Sequence, residues 1–177
     1  MPEPWRFNGE LGAIIYDPED GFMASAEGRP DAELVAYFVT KNRRTYIAQL
    51  ETLAAMAPYT TWPERFAGRR VTHFIDNTVA LSSLVHGYAR QTDMAEMVNA
   101  FHLLMAGLKT ATYMDYVPSK ANIADDPSRG THDLPIALGA VVEQGGLRAP
   151  TYSMLSRPPE AWLVDGEKHG RGHRWPV

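Results

Sequence analysis

The sequence predicts an α/β domain, and two stretches carry that expectation. The apolar run Val71-Thr72-His73-Phe74-Ile75 ends on Asp76-Asn77 and passes directly into helix-like residues 78–88. Residues 111–117 (Ala-Thr-Tyr-Met-Asp-Tyr-Val) then alternate as a strand does, after a long segment of helical period. A strand that delivers a carboxylate to its C-terminal end, with a helix starting beside it, is a common way for an α/β sheet to hold a metal or a phosphate. The remaining elements are read by asking what stands next to Asp76.

A chain of 177 residues fits one domain with a tail, and no apolar run approaches the roughly 20 residues of a membrane span. Met1-Pro2-Glu3-Pro4 has neither the basic start nor the apolar region of a secretory signal, so a cytoplasmic or nuclear location is expected. With no cysteine, disulfides and thiolate metal sites are excluded, and a metal has to sit on oxygen or imidazole. The formal charge of −4 argues against coating nucleic acid by bulk electrostatics. It leaves room for a nuclease whose metals supply local positive charge.

In chain order, residues 1–10 have no period and suggest an irregular arm. Residues 11–16 read as a buried strand, Asp17-Pro18-Glu19-Asp20-Gly21 as a turn, and residues 22–26 as the returning arm of a hairpin. Asp31 is placed to cap a helix over 32–38, and Lys41-Asn42-Arg43-Arg44 is a solvated basic loop. Residues 46–57 form the next helix, with Glu51 at the edge of its apolar stripe, and Pro58 is expected to close it. Asp93 caps a long helix to Lys109 whose apolar residues follow the 3.6 period of a core-facing helix. After the strand at 111–117, residues 121–130 make a short helical turn, and the Pro/Gly-rich residues 131–177 read as a C-terminal tail that lies on the domain or is partly disordered.

Glu51, Asp76 and Asp125 are each embedded in apolar sequence, where an unpaired charge is costly without a cation or hydrogen bonds. Their convergence implies a divalent metal. In the alternative each acid acts only locally, with Asp76 capping the helix from Thr78, Asp125 and Asp126 capping the turn at Pro127, and Glu51 exposed.

The pattern Ile47-Ala48-Gln49-Leu50-Glu51-Thr52-Leu53-Ala54-Ala55, then Phe74-Ile75-Asp76-Asn77, then Asn122-Ile123-Ala124-Asp125-Asp126-Pro127-Ser128-Arg129 resembles the ribonuclease H domain that follows reverse transcriptase in retroelements. The likeness covers about residues 9–130 and is closest to variants ending in Asn-x-Ala-Asp-x-x-Ser-Arg. It implies a mixed central sheet flanked by helices, over a domain of residues 1–130. It also implies a carboxylate cluster of Glu51, Asp76 and Asp125 that binds Mg²⁺ or Mn²⁺ and cuts the RNA strand of RNA–DNA hybrids. Two such ions lie roughly 3.5–4 Å apart, one activating a water and one steadying the leaving oxygen. Hard Mg²⁺ wants oxygen ligands. Asn77, Ser128 and Arg129 become the expected substrate contacts, with capping and a surface ion pair as the alternatives for Asn77 and Arg129. His73, His86 and His102 read as structural.

The family's first strand carries a further Asp, and residues 1–8 contain none. The first strand is therefore expected to be missing, the chain being part of a longer polyprotein or a domain that folds without cutting. A shifted register offers Asp17 as the absent ligand, although its turn-forming neighbours argue for a turn. Weak or absent cleavage by this chain alone is expected. The rival is a non-catalytic module of the same fold that holds nucleic acid or a protein, separated from the enzyme by metal binding; an exonuclease or integrase-type member would be separated by substrate preference.

Overall fold

The computed structural model describes residues 10–41 and 44–170; the irregular arm expected over 1–10 falls almost wholly outside them, as does part of the basic loop. Leu11–Asp17 (β1) and Phe22–Gly28 (β2) form the expected antiparallel hairpin, with Leu11 opposite Gly28 and Asp17 opposite Phe22. Gly21 closes its turn with an N–H to the carbonyl of Asp17 at 2.9 Å and a φ of 73°, a left-handed conformation that favours glycine. Ala32–Val39 (α1) follows. Asp31, expected to cap it, makes no side-chain cap; its carboxylate instead accepts from the Tyr152 N–H at 2.8 Å.

Ile47–Thr61 (α2) runs past the point where Pro58 was expected to stop it. Pro58 removes one donor, but the following turn survives because the Trp62 N–H reaches the Pro58 carbonyl at 2.9 Å and the Thr61 hydroxyl reaches the Ala57 carbonyl at 2.7 Å. Pro63–Phe66 (α3) leads to Arg70–Ile75 (β3), Thr78–His86 (α4), Thr92–Leu108 (α5) and Ala111–Tyr116 (β4). Strands β3 and β4 pair in parallel, Arg70 with Ala111 through to Ile75 with Tyr116. A short turn at Ser119–Ala121 precedes Asp125–Ser128 (α6).

Residues 131–170 lie on the domain, holding Asp133–Ala137 (α7), Val141–Val142 (β5), Tyr152–Leu155 (α8) and Glu160–Gly170 (α9). Trp162 of α9 is buried in the main core that also holds Phe101 and Leu104 of α5. The two helices approach so closely that a Cβ on Gly166 would stand 2.6 Å from the Leu104 carbonyl. Strand β5 adds to β2 in parallel, which makes the sheet β1-β2-β5 mixed.

The fold is thus mixed α/β, but the single central sheet expected from the sequence is divided. Strands β1-β2-β5 form one sheet and β3-β4 another, with no ladder between β1 and β3 among the described residues. The end of β1 is held by Arg69, the residue before β3 begins, while the start of β1 packs on α6. Strands β1 and β3 therefore run in opposite directions. No helix among the described residues is long and apolar enough to cross a membrane.

Candidate functional site: a carboxylate group at one end of a split sheet

Asp76 follows the last residue of β3, Glu51 projects from α2, and Asp125 opens α6. The place of α6 is set by Gly12 on β1, where a Cβ would fall 2.7 Å from the Ala124 carbonyl and 2.8 Å from Ser128 Cα. Only glycine lets the Asp125 turn lie this near the strand. Burial pushes the Glu51 carboxyl up to about 7, with Asp76 and then Asp125 adding repulsion. The three acids predicted from sequence therefore share one electrostatic neighbourhood. The carboxylates of Glu51 and Asp76 form no hydrogen bond or ion pair with other described residues. Asp125 is engaged, its Oδ2 accepting from Arg129 Nε at 2.9 Å.

The donor set is all oxygen, which suits a hard divalent cation, although Arg129 already compensates Asp125. No group of three or more His, Asp or Glu among the described residues is already arranged to hold a metal ion.

The three expected substrate contacts make local bonds. Asn77 caps α4, its Oδ1 accepting from the N–H groups of Val79 at 3.1 Å and Ala80 at 2.9 Å. The Ser128 hydroxyl donates to the Asp125 carbonyl at 2.7 Å, and Arg129 pairs with Asp125. Asp17 is not a fourth ligand. It stands at the far end of β1, where Arg69 Nη2 at 2.8 Å and Arg65 Nη1 at 3.3 Å bind its carboxylate, and the Arg69 hydrogen bond leads in holding its carboxyl below the usual range. The turn chemistry of Asp17 is also present, with the Glu19 N–H on its Oδ1 at 3.1 Å.

Between the free edges of β1 and β3 lies a cavity of about 560 Å³, lined by residues 12–17 and 70–76. Its floor is one face of α2, namely Glu51, Ala54, Ala55, Pro58 and Tyr59, spaced at helical period. Glu51, Asp76 and residues 122–124 close one end, and Asp17, Arg65 and Arg69 the other. The histidines are structural partners. His73 Nδ1 lies 3.0 Å from the Tyr59 hydroxyl, and desolvation pushes its imidazole down to about 4; His102 Nε2 meets the Leu84 carbonyl at 2.8 Å and His86 Nδ1 the Ser82 carbonyl at 2.7 Å.

Sequence reasoning missed His132, whose Nδ1 is 2.8 Å from Ser25 Oγ and whose Nε2 is 3.5 Å from Glu27 Oε2. Ser25 is fully buried, so this trio fastens the C-terminal segment to β2 and offers no nucleophile to solvent. No local signal could have found it, because the partners stand 107 positions apart. Comparison of the chain with models of known families, with curated proteins and with solved structures gave no match.

Proposed function

We propose that this chain is a ribonuclease H-type domain of a retroelement reverse transcriptase, in which Glu51, Asp76 and Asp125 bind Mg²⁺ or Mn²⁺ to cut the RNA strand of an RNA–DNA hybrid. The observation that carries the reading is geometric: Glu51 of α2, Asp76 at the end of β3 and residues 122–124, which lead into Asp125, line one cavity, where burial first and then Asp76 and Asp125 raise the Glu51 carboxyl to about 7. Carboxylates gathered against their own electrostatics at a strand end are a functional arrangement more often than a stabilising one. When bound, the cations would activate a water and stabilise charge on the phosphodiester.

The chain's own residues have defined parts. Glu51 and Asp76 present oxygens without competing partners among the described residues, Asn77 fixes the start of α4 and so the strand end that carries Asp76, and Arg129 screens Asp125 until a phosphate takes that guanidinium. The Ser128 hydroxyl keeps the Asp125 turn closed. Residues 1–8 contain no Asp to serve as the acid expected on a further strand, so cleavage by this chain alone is weak, and the domain works in the cytoplasm or nucleus.

The test is cleavage of a hybrid labelled on each strand, in Mn²⁺, by this chain and by Asp76→Asn. Slow cutting of the RNA strand that the substitution abolishes supports the reading; cutting that survives the substitution, or that spares RNA and takes DNA, contradicts it. A non-catalytic module of the same fold is the second reading, favoured by the ion pair that occupies Asp125. Hybrid bound but uncut, with no cation bound, selects it.

A further inference from the structure

Where the C-terminal segment crosses β2, two buried ligand-type atoms converge. His132 Nε2 and Glu27 Oε2 are 3.5 Å apart, both atoms are shielded from solvent, and neither has a hydrogen-bond partner among the described residues. Buried polar atoms are almost always paired, so two orphans on one contact call for a bridging partner. The other ring nitrogen is already engaged, because His132 Nδ1 lies 2.8 Å from Ser25 Oγ and Ser25 is fully buried. An Nδ1–H that donates to this hydroxyl turns the bare Nε2 lone pair toward the carboxylate, which is how a histidine is oriented to take a metal. Imidazole with carboxylate suits zinc. The spacing suits it too, since neighbouring ligand atoms on a tetrahedral zinc with bonds of about 2.0–2.1 Å stand about 3.3–3.4 Å apart.

A third carboxylate borders the same place. Oε2 of Glu10 and Oε2 of Glu27 lie 3.3 Å and 3.5 Å from the point that a Cβ on Gly130 would occupy, and Gly130 has a φ of 76°, which favours glycine. Glu10 is tied through its other oxygen to Arg29 at 3.4 Å, a contact in which the Arg29 side chain is 83% exposed and therefore weak. Two ligand atoms thus already stand at zinc spacing, and a side-chain rotation of Glu10 supplies the third.

We propose that Glu27 and His132, completed by Glu10 and water, form a zinc site that clamps the C-terminal segment onto the β1–β2 hairpin. Two carboxylates and a neutral imidazole balance the charge of the ion. The site shares no residue with Glu51, Asp76 and Asp125 and differs from them in chemistry, since an all-carboxylate set favours Mg²⁺ or Mn²⁺. Its mechanical effect follows from the backbone. The Glu143 N–H donates to the Ser25 carbonyl at 2.9 Å and the Leu147 N–H to the Glu27 carbonyl at 2.7 Å, so the ion would sit on the same stretch of β2 that carries β5 and the chain beyond it. Nothing in this proposal rests on the nuclease reading.

The experiment is titration of Zn²⁺ into the 177-residue chain at about pH 7.5, where zinc finds imidazole unprotonated, followed by nitrogen NMR of the histidine rings and by amide exchange. Glu27→Gln, Glu10→Gln and Asp76→Asn are carried through the same titration, with the amides of α5 reporting that each variant is folded. The expected result is a shift of the His132 Nε2 resonance that is complete at one equivalent of zinc and that Mg²⁺ does not reproduce. With it comes at least tenfold slower exchange of the Glu143 and Leu147 amides. Glu27→Gln and Glu10→Gln should each weaken zinc binding at His132 at least tenfold, and Asp76→Asn should leave it unchanged. Three results overturn the proposal: a His132 ring that millimolar zinc does not move, a shift that keeps its full affinity in Glu27→Gln or Glu10→Gln, or a shift that disappears in Asp76→Asn. The first would assign the contact to a proton or a water, and the last would assign the zinc to the other acids.

Discussion

Glu51→Gln should make the fold less sensitive to alkali. The wild-type carboxyl is raised from 4.5 to about 7, first by burial and then by Asp76 and Asp125. The folded chain therefore keeps a proton that the unfolded chain gives up. Its contribution to stability is fully present below about pH 4.5 and is lost as pH rises to about 7, beyond which the deficit stays constant. The whole difference amounts to about 3 kcal/mol, of which about 2 kcal/mol falls between about pH 5.5 and 8.5. Gln at this position has no charge to bury and loses none of it. For a chain of 177 residues that corresponds to a difference of roughly 4–8 °C in how far Tm drops between the two pH values. Thermal and urea unfolding of both proteins in EDTA at the two pH values supply the comparison. Parallel pH dependences would refute the reasoning, since they would mean that neither burial nor the field of the other two acids raises the Glu51 carboxyl.

Asp17→Ala leaves Arg65 and Arg69 without their shared carboxylate and is expected to cost about 2 kcal/mol in urea unfolding at neutral pH, with a loss under about 0.5 kcal/mol counting against the bridge. Because the Arg69 hydrogen bond lowers the Asp17 carboxyl, that stability is present above about pH 3.8 and fades as pH falls further. Gly12→Ala places a Cβ against the backbone of Ala124 and Ser128 and should cost about 1–3 kcal/mol, with faster amide exchange over residues 124–129; unchanged exchange there would mean that α6 does not depend on this approach. Asn77→Ala removes the cap of α4 at a cost of about 1 kcal/mol, read as lost protection of the Val79 and Ala80 amides, and retained protection would exclude the cap.

The hairpin, the helix that carries Glu51, both strands of the parallel pair and the α5 helix were legible in the sequence because each shows its period within a few turns. The proximity of Glu51, Asp76 and Asp125 came from a resemblance in motif order, and the repulsion from Asp76 and Asp125 that adds to burial in raising Glu51 agrees with that proximity. What stayed illegible depends on distant partners. Pro58 looked like a stop because the Thr61 hydroxyl and the Trp62 amide that carry the helix past it are tertiary detail. Asp31 looked like a cap because nothing local announces the Tyr152 amide that claims it. Residues 131–170 looked like a tail because their contribution comes from single anchors, Trp162 in the core and His132 on Ser25, and from the glycine contact of α9 with α5. The division of the sheet could not be read locally either, since β1 and β3 each show an ordinary strand pattern.

The central claim is that Glu51, Asp76 and Asp125 form a cation site. Its most direct test is calorimetric titration of Mn²⁺ into this chain and into Asp76→Asn at about pH 8, where Glu51 is ionised. Binding to the wild type that disappears in the variant is the expected result. Equal binding to both, or none to either, would contradict it.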